Sequence, residues 1–152
     1  MNESLTFRKA ERLRHKSLIN SLFQRGGNIY AWPLRLVYHN FSSEEMHSLF
    51  RHGIPEHIAP LQMLVTIPKK KRKKAVDRVL LRRRIREAYR LNRLNVKENL
   101  PLKSEEKEAT LSLAFIYLSD KNEDYTLIET SMKKLLSKLR EKLFYTINNL
   151  KD

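Results

Sequence analysis

The apolar positions of this chain recur at two different periods, and the changes of period divide it into elements. Leu18, Ile19, Leu22 and Phe23 keep helical spacing and predict a short amphipathic helix over 16–25, with Ser17 as its N-cap. Gly26-Gly27 then stops it, as glycine does just past a helix end. Two extended pieces follow over 28–31 and 34–39, separated by Pro33 where a ladder donor can be spared. In the second piece Leu34, Leu36 and Tyr38 alternate with Arg35, Val37 and His39, so that strand has two distinct faces. Residues 40–60 read as a long connection with room for one helical turn, since a structureless loop of that length is uncommon in a compact domain.

The stretch 61–67 (LQMLVTI) predicts a further strand, more apolar and expected to be more central. A helix follows over 74–94, and then a polar connection over 95–109 containing Pro101. The unbroken apolar run of 110–118 (TLSLAFIYL) predicts the most buried strand. Ile128, Met132, Leu135, Leu136, Leu139, Leu143 and Ile147 then mark a long helix over 125–148, with Lys and Glu on its other side. The order is α-β-β-β-α-β-α, which predicts an α+β domain with helices packed on a sheet, spanning 1–152 with an N-terminal arm over 1–15.

Composition supports a folded chain. Of 152 residues 41% are apolar, which is enough for a core, and no apolar run approaches the ~20 residues of a membrane-spanning helix. The opening residues carry no secretion-signal pattern and cysteine is absent, so a cytoplasmic protein is expected without disulfides, thiolate nucleophiles or cysteine zinc sites.

Charge changes the picture most. The formal charge is +14, an excess that suits a polyanionic partner. Most of it sits in 69–93, which holds 13 Lys or Arg against only Asp77 and Glu87. A solvated helix face normally mixes signs, and this one barely does, so nucleic acid is favoured over a bland charged surface or a localisation signal. Arg78, Arg82, Arg86 and Arg90 recur every fourth residue and predict a ridge whose side chains stand about 6 Å apart, suited to successive phosphates of a folded RNA. Leu81, Ile85 and Ala88 lie on an adjacent side and can dock the helix on the sheet. DNA reading by a helix-turn-helix fits less well, because no short turn and partner helix precede the basic helix.

The residues carrying this charge resemble the protein component of bacterial ribonuclease P. The resemblance starts at Arg12-Leu13, continues through Leu22-Phe23-Gln24-Arg25-Gly26 and Pro33-Leu34-Arg35-Leu36, and is strongest over Lys69-Lys70 and 75–90. The family signature joins a lysine approach, an Ala-Val entry and an Arg-Glu pair, here Lys69-Lys70, Ala75-Val76 and Arg86-Glu87. Two positions depart from it: Val79 stands where the family has Asn, and Leu80 where a basic residue usually follows. The connection over Lys71–Lys74 is also a residue longer than the family's usual glycine-containing turn.

The resemblance implies an α/β sandwich of the ribosomal-protein-S5-domain-2-like type with a left-handed βαβ crossover. Periodicity alone would not suggest that handedness. It further implies a protein subunit that binds the catalytic RNA and holds the single-stranded 5′ leader of precursor tRNA. RNA contacts are then expected from Lys69, Lys70, Lys74, Arg78, Arg82, Arg83, Arg86 and Arg90, and a leader cleft from Ile19, Phe23, Arg35 and Val37, with Arg82 and Arg86 matching the family's basic leader contacts. Of these Phe23 is the best base stacker and Ile19 and Val37 cannot stack, so Tyr30 or Tyr38 could supply a second ring. Periodicity read alone makes Phe23 equally a core residue.

No catalytic residue and no protein-bound cofactor are expected, with magnesium entering through the RNA subunit. The sequence has no paired carboxylates at useful spacing, no Ser/His/Asp order and no phosphate-cradling glycine loop. A ribosomal or other structured-RNA-binding protein without a role in cleavage is the alternative, and an independent metal-dependent nuclease is a third. His47, His52 and His57 recur at five-residue intervals, neither a helical nor a strand period, which argues against a metal site. Trp32 beside Pro33 is expected to be a packed strand-end aromatic, with an exposed stacking residue as the alternative.

Overall fold

The computed structural model describes residues 7–56, 58–99 and 108–150, with side chains described for all of these except 95–99 and 145–150. A 3-10 turn over Lys9–Glu11 precedes α1 (Lys16–Arg25), β1 (Gly27–Ala31), β2 (Leu34–Phe41), α2 (Ser43–Leu49), β3 (Leu61–Thr66), α3 (Ala75–Asn99), β4 (Thr110–Tyr117) and α4 (Tyr125–Leu150). The four strands form one sheet in the order β1-β2-β4-β3, antiparallel except for the β3/β4 pair. That parallel pair is joined through α3, as a βαβ connection requires.

Alternation along each strand gives the sheet two faces. Ile29, Leu34, Leu36, Met63, Leu113 and Phe115 point to one, where Leu81, Ile85 and Ala88 of α3 and the apolar stripe of α4 close the larger core. Val37, Phe41 and Ala114 point to the other, beneath Leu18 and Leu22 of α1 and Met46 of α2. Strand β4 is buried on both faces, which accounts for its continuous apolar run.

Several expectations are corrected. Strand β3 is an edge strand, not a central one. Its apolar residues are covered by α3 on one face and its outer edge by the N-terminal segment: Leu13 N–H donates to the Met63 carbonyl at 2.9 Å, and Gln62 Nε2 to that of Ala10 at 2.9 Å. Residues 9–13 are therefore part of the fold rather than a loose arm.

The connection over 40–60 holds more than a single turn. Ser42 and Glu45 form a reciprocal capping box at the start of α2, while Phe41 and Met46, one on each side of the cap, are fully buried in one cluster as a hydrophobic staple. Helix α1 is capped by His15 and not by Ser17, and the His15 side chain makes no capping bond; its ring instead packs edge-on against Phe50. Helix α3 runs on to Asn99, while Pro101 lies outside the described residues.

Gly26 is needed for close approach rather than for a left-handed turn, since its φ is −68°. A Cβ there would stand 2.4 Å from the Leu22 carbonyl oxygen and 2.6 Å from Val37 Cγ1. Gly26→Ala is accordingly expected to push α1 off β2 and to cost about 1–3 kcal/mol, the usual range for overpacking. A lowered urea midpoint checks this; an unchanged midpoint would show that α1 does not sit this close.

Candidate nucleic-acid interface

Helix α3 is held by its apolar side. Leu81, Ile85, Ala88 and Tyr89 are buried, with Tyr89 packed against Phe115 and edge-on to Phe7. Its cations then divide into two groups that spacing could not separate. Some are occupied within the fold. Arg78 Nη1 donates to the carbonyls of Arg72 and Lys73, Arg84 Nη1 to that of Glu123, and Arg90 makes two bonds to Glu87. Arg93 is buried and pairs with Glu11, its guanidinium 5.8 Å from the Phe7 ring centroid.

Arg82, Arg83 and Arg86 by contrast make no hydrogen bond or ion pair to any described residue. The predicted ridge is thus continuous in backbone position, but only its middle is available to a ligand. Lys69, Lys70 and Lys74 are exposed on the approach to α3. That approach is anchored at Arg72, which pairs with Asp77 at 2.9 Å and reaches the Asp120 carbonyl at 2.5 Å.

Arg86 stands at the β3 edge. It lines a groove of about 530 Å³ together with Lys9, Arg12 and Arg14 of the N-terminal segment and with Leu64 and Val65 of β3. Burial, and then the fields of Arg12 and Arg82, lower the pKa of Arg86 from the ordinary arginine value. Mutually repelling guanidiniums around a groove form a site for an anion, and a phosphate oxygen accepts from them readily. Sequence reading passed over Arg12 and Arg14 as groove residues, because only the pairing of their segment with β3 brings them beside Arg86.

The second sheet face is left partly open. Its covered part lies under α1, where Val37, only 1% exposed, forms the floor beside Gly26, with Ile19 partly buried above. Phe23, one turn beyond Ile19, is 44% exposed, so it is not a core residue. Arg35 is on the same face two residues before Val37, with Nε donating to Asn28 Oδ1 at 2.8 Å and its guanidinium 5.9 Å from the Tyr30 ring centroid. Tyr30 therefore shares this face with the expected leader residues. Tyr38 does not, because it packs against the core on the opposite face.

Val79 and Leu80 are exposed on α3, so the fold does not require the residues that stand there. Among the described residues no three His, Asp or Glu side chains gather at metal-binding distance, and His57 lies outside them. No described helix is long and apolar enough to cross a membrane.

The chain is similar to known proteins in sequence and in fold. The Ribonuclease P family model matches residues 7–140, nearly the whole described chain. The chain belongs to the ribonuclease P protein family. The ribonuclease P protein component of Porphyromonas gingivalis strain W83 is 33% identical over 131 residues, which cover 86% of this chain and 84% of that protein. That of Chlorobaculum tepidum is 31% identical over 109 residues, covering 72% and 65%. The Staphylococcus aureus RNase P protein structure shares the fold, with a TM-score of 0.55 at 17% identity over 86% of this chain and 96% of that one. Ribonuclease P proteins are part of an endoribonuclease holoenzyme that processes tRNA 5′ ends, and membership implies association with the ribonuclease P RNA.

Proposed function

We propose that this protein grips the ribonuclease P RNA with α3 and its lysine approach while the open sheet face guides the single-stranded 5′ leader of precursor tRNA. The observation that carries the proposal is the set of unengaged guanidiniums of Arg82, Arg83 and Arg86 on α3, of which Arg86 reaches the β3 edge of a sheet whose other face the helices leave partly uncovered. Lys69, Lys70 and Lys74 add phosphate contacts from the approach, and Arg78 contributes field while serving the fold, whereas the charge of Arg90 is neutralised by Glu87. Ile19, Phe23 and Arg35 border the leader's path and Val37 supports it from beneath. Each phosphate neutralised releases condensed counterions, so assembly weakens steeply as salt rises.

The catalytic centre and its magnesium ions belong to the RNA, and the protein needs no bound cofactor. Its contribution is to position the substrate and to screen phosphate repulsion. Residues 1–152 act as a single domain in the cytoplasm. Adding the purified protein to a bacterial ribonuclease P RNA at low magnesium is expected to stimulate removal of the 5′ leader. No stimulation would refute the proposal in favour of a structured-RNA-binding role, and cleavage by protein alone would point to an independent nuclease.

A further inference from the structure

The strand register defines a lateral row across the open sheet face. Tyr30 of β1 pairs with Arg35 of β2, Arg35 with Ile116 of β4, and Ile116 with Thr66 of β3. Side chains of paired residues share a face, so these four stand in line over about 14 Å, three strand spacings. None of the four is buried. At the β3 side the strip ends on Thr66, next in sequence to Val65 of the groove that Arg86 lines. At the β1 side it ends on Tyr30, and Trp32 follows two residues later in the β1–β2 turn, each of the two rings 59% exposed.

That exposure overturns the expectation that Trp32 is a packed strand-end residue. Two large rings within three residues of an edge strand leave much apolar area in water, with no core behind them to account for it. Arg35 makes the end of the row more specific. Its bond to Asn28 fixes the guanidinium beside the Tyr30 ring, so a planar cation and an aromatic face are presented together. Planar cations and rings are the groups on which unpaired bases stack, and stacking of this kind tolerates any base.

We infer that Tyr30, Trp32 and Arg35 form a terminal subsite that takes an unpaired nucleobase of the RNA strand lying across the sheet, upstream of the part held at Phe23. The inference rests on the leader-guiding role proposed above and extends it to the β1 edge. The occupant is single-stranded RNA because the surface joins aromatic faces to positive charge and carries no acid on the row. A second copy of this chain, with the same positive charge, would be repelled there.

Trp32 is the only tryptophan in the chain, so its emission reports this subsite alone. Titrating the protein with a single-stranded oligouridylate is expected to quench that emission saturably, and Tyr30→Ala is expected to weaken the binding. Binding seen by anisotropy without quenching, or no binding, would overturn the inference. So would quenching that depends on protein concentration without RNA, which would mark a self-association face.

In the reconstituted holoenzyme, Tyr30→Ala and Trp32→Ala are each expected to weaken a long-leader precursor by about 5- to 150-fold, the range for loss of one base stack. Precursors with a leader too short to reach β1, and mature tRNA, should bind unchanged. Tyr30→Phe and Trp32→Phe keep the rings and should retain affinity. If Phe23→Ala discriminates precursor from mature tRNA while the Tyr30 and Trp32 variants do not, the subsite is refuted and the leader-guiding role stands. If the Phe23 variant also fails to discriminate, that role falls with it.

Discussion

Truncation of Phe115 to alanine is expected to lower the unfolding free energy by about 3–5 kcal/mol, the range for deleting a buried aromatic side chain. Phe115 lies in β4 between Leu36 of β2 and Val65 of β3, fully buried, with its ring tilted 5.7 Å from that of Tyr89 on α3. Collapse cannot refill the space, because hydrogen-bonded strands flank β4 on both sides and fix its neighbours. A domain of this size has only about 5–15 kcal/mol of stability in total, so a large share is at stake. Urea unfolding checks the prediction, with a lower midpoint and an unchanged slope. Exposed Phe144 serves as the control, since its truncation should change stability by less than about 0.5 kcal/mol. A decrease below about 1 kcal/mol at Phe115 would contradict the central place of β4.

That central place was legible in the sequence because local composition decides it: a strand buried on both faces has no polar alternation. Helix α4 was legible for the same reason, since its leucines bury one stripe and leave lysines outside. The edge position of β3 was not legible. Leu61 and Met63 are as apolar as a central strand's residues, and only the distant Ala10–Leu13 segment supplies what lies beside them. Helix α2 is a different case. The Ser42/Glu45 box and the Phe41/Met46 staple stood in the sequence, obscured by the length of the connection that holds them.

The site followed the same division. The concentration of arginine in α3 was plain, but which arginines remain available depends on Glu11, the Glu123 carbonyl and the Lys73 carbonyl, and spacing within the helix names none of these. Residues that act through local pattern could be read from the chain. Those that act through long-range partners needed the fold, as did the exposure of Trp32 and Tyr30.

Replacement of both Arg82 and Arg86 by alanine is expected to weaken binding more than any other change. A hydrogen bond to a charged group contributes about 1.5–3 kcal/mol, so each arginine removed should weaken precursor tRNA by roughly 10- to 150-fold. The stability of the protein should not fall. Neither side chain makes a bond within the described fold, and the field of Arg82 already disfavours the charge on Arg86, so their removal relieves repulsion. Weakened binding can therefore be separated from unfolding, which is not so for Arg93, buried and paired with Glu11. Salt gives a second, independent reading. For every phosphate of a single strand that the variant no longer neutralises, the dependence of log affinity on log salt should become shallower by about 0.7. Arg90→Ala makes the useful contrast, because Glu87 already neutralises that guanidinium and the salt slope should barely change. Mature tRNA lacks the leader, so its affinity should fall less than that of the precursor. Equal decreases for the two substrates would assign Arg82 and Arg86 to the body of the RNA and remove them from the leader's path.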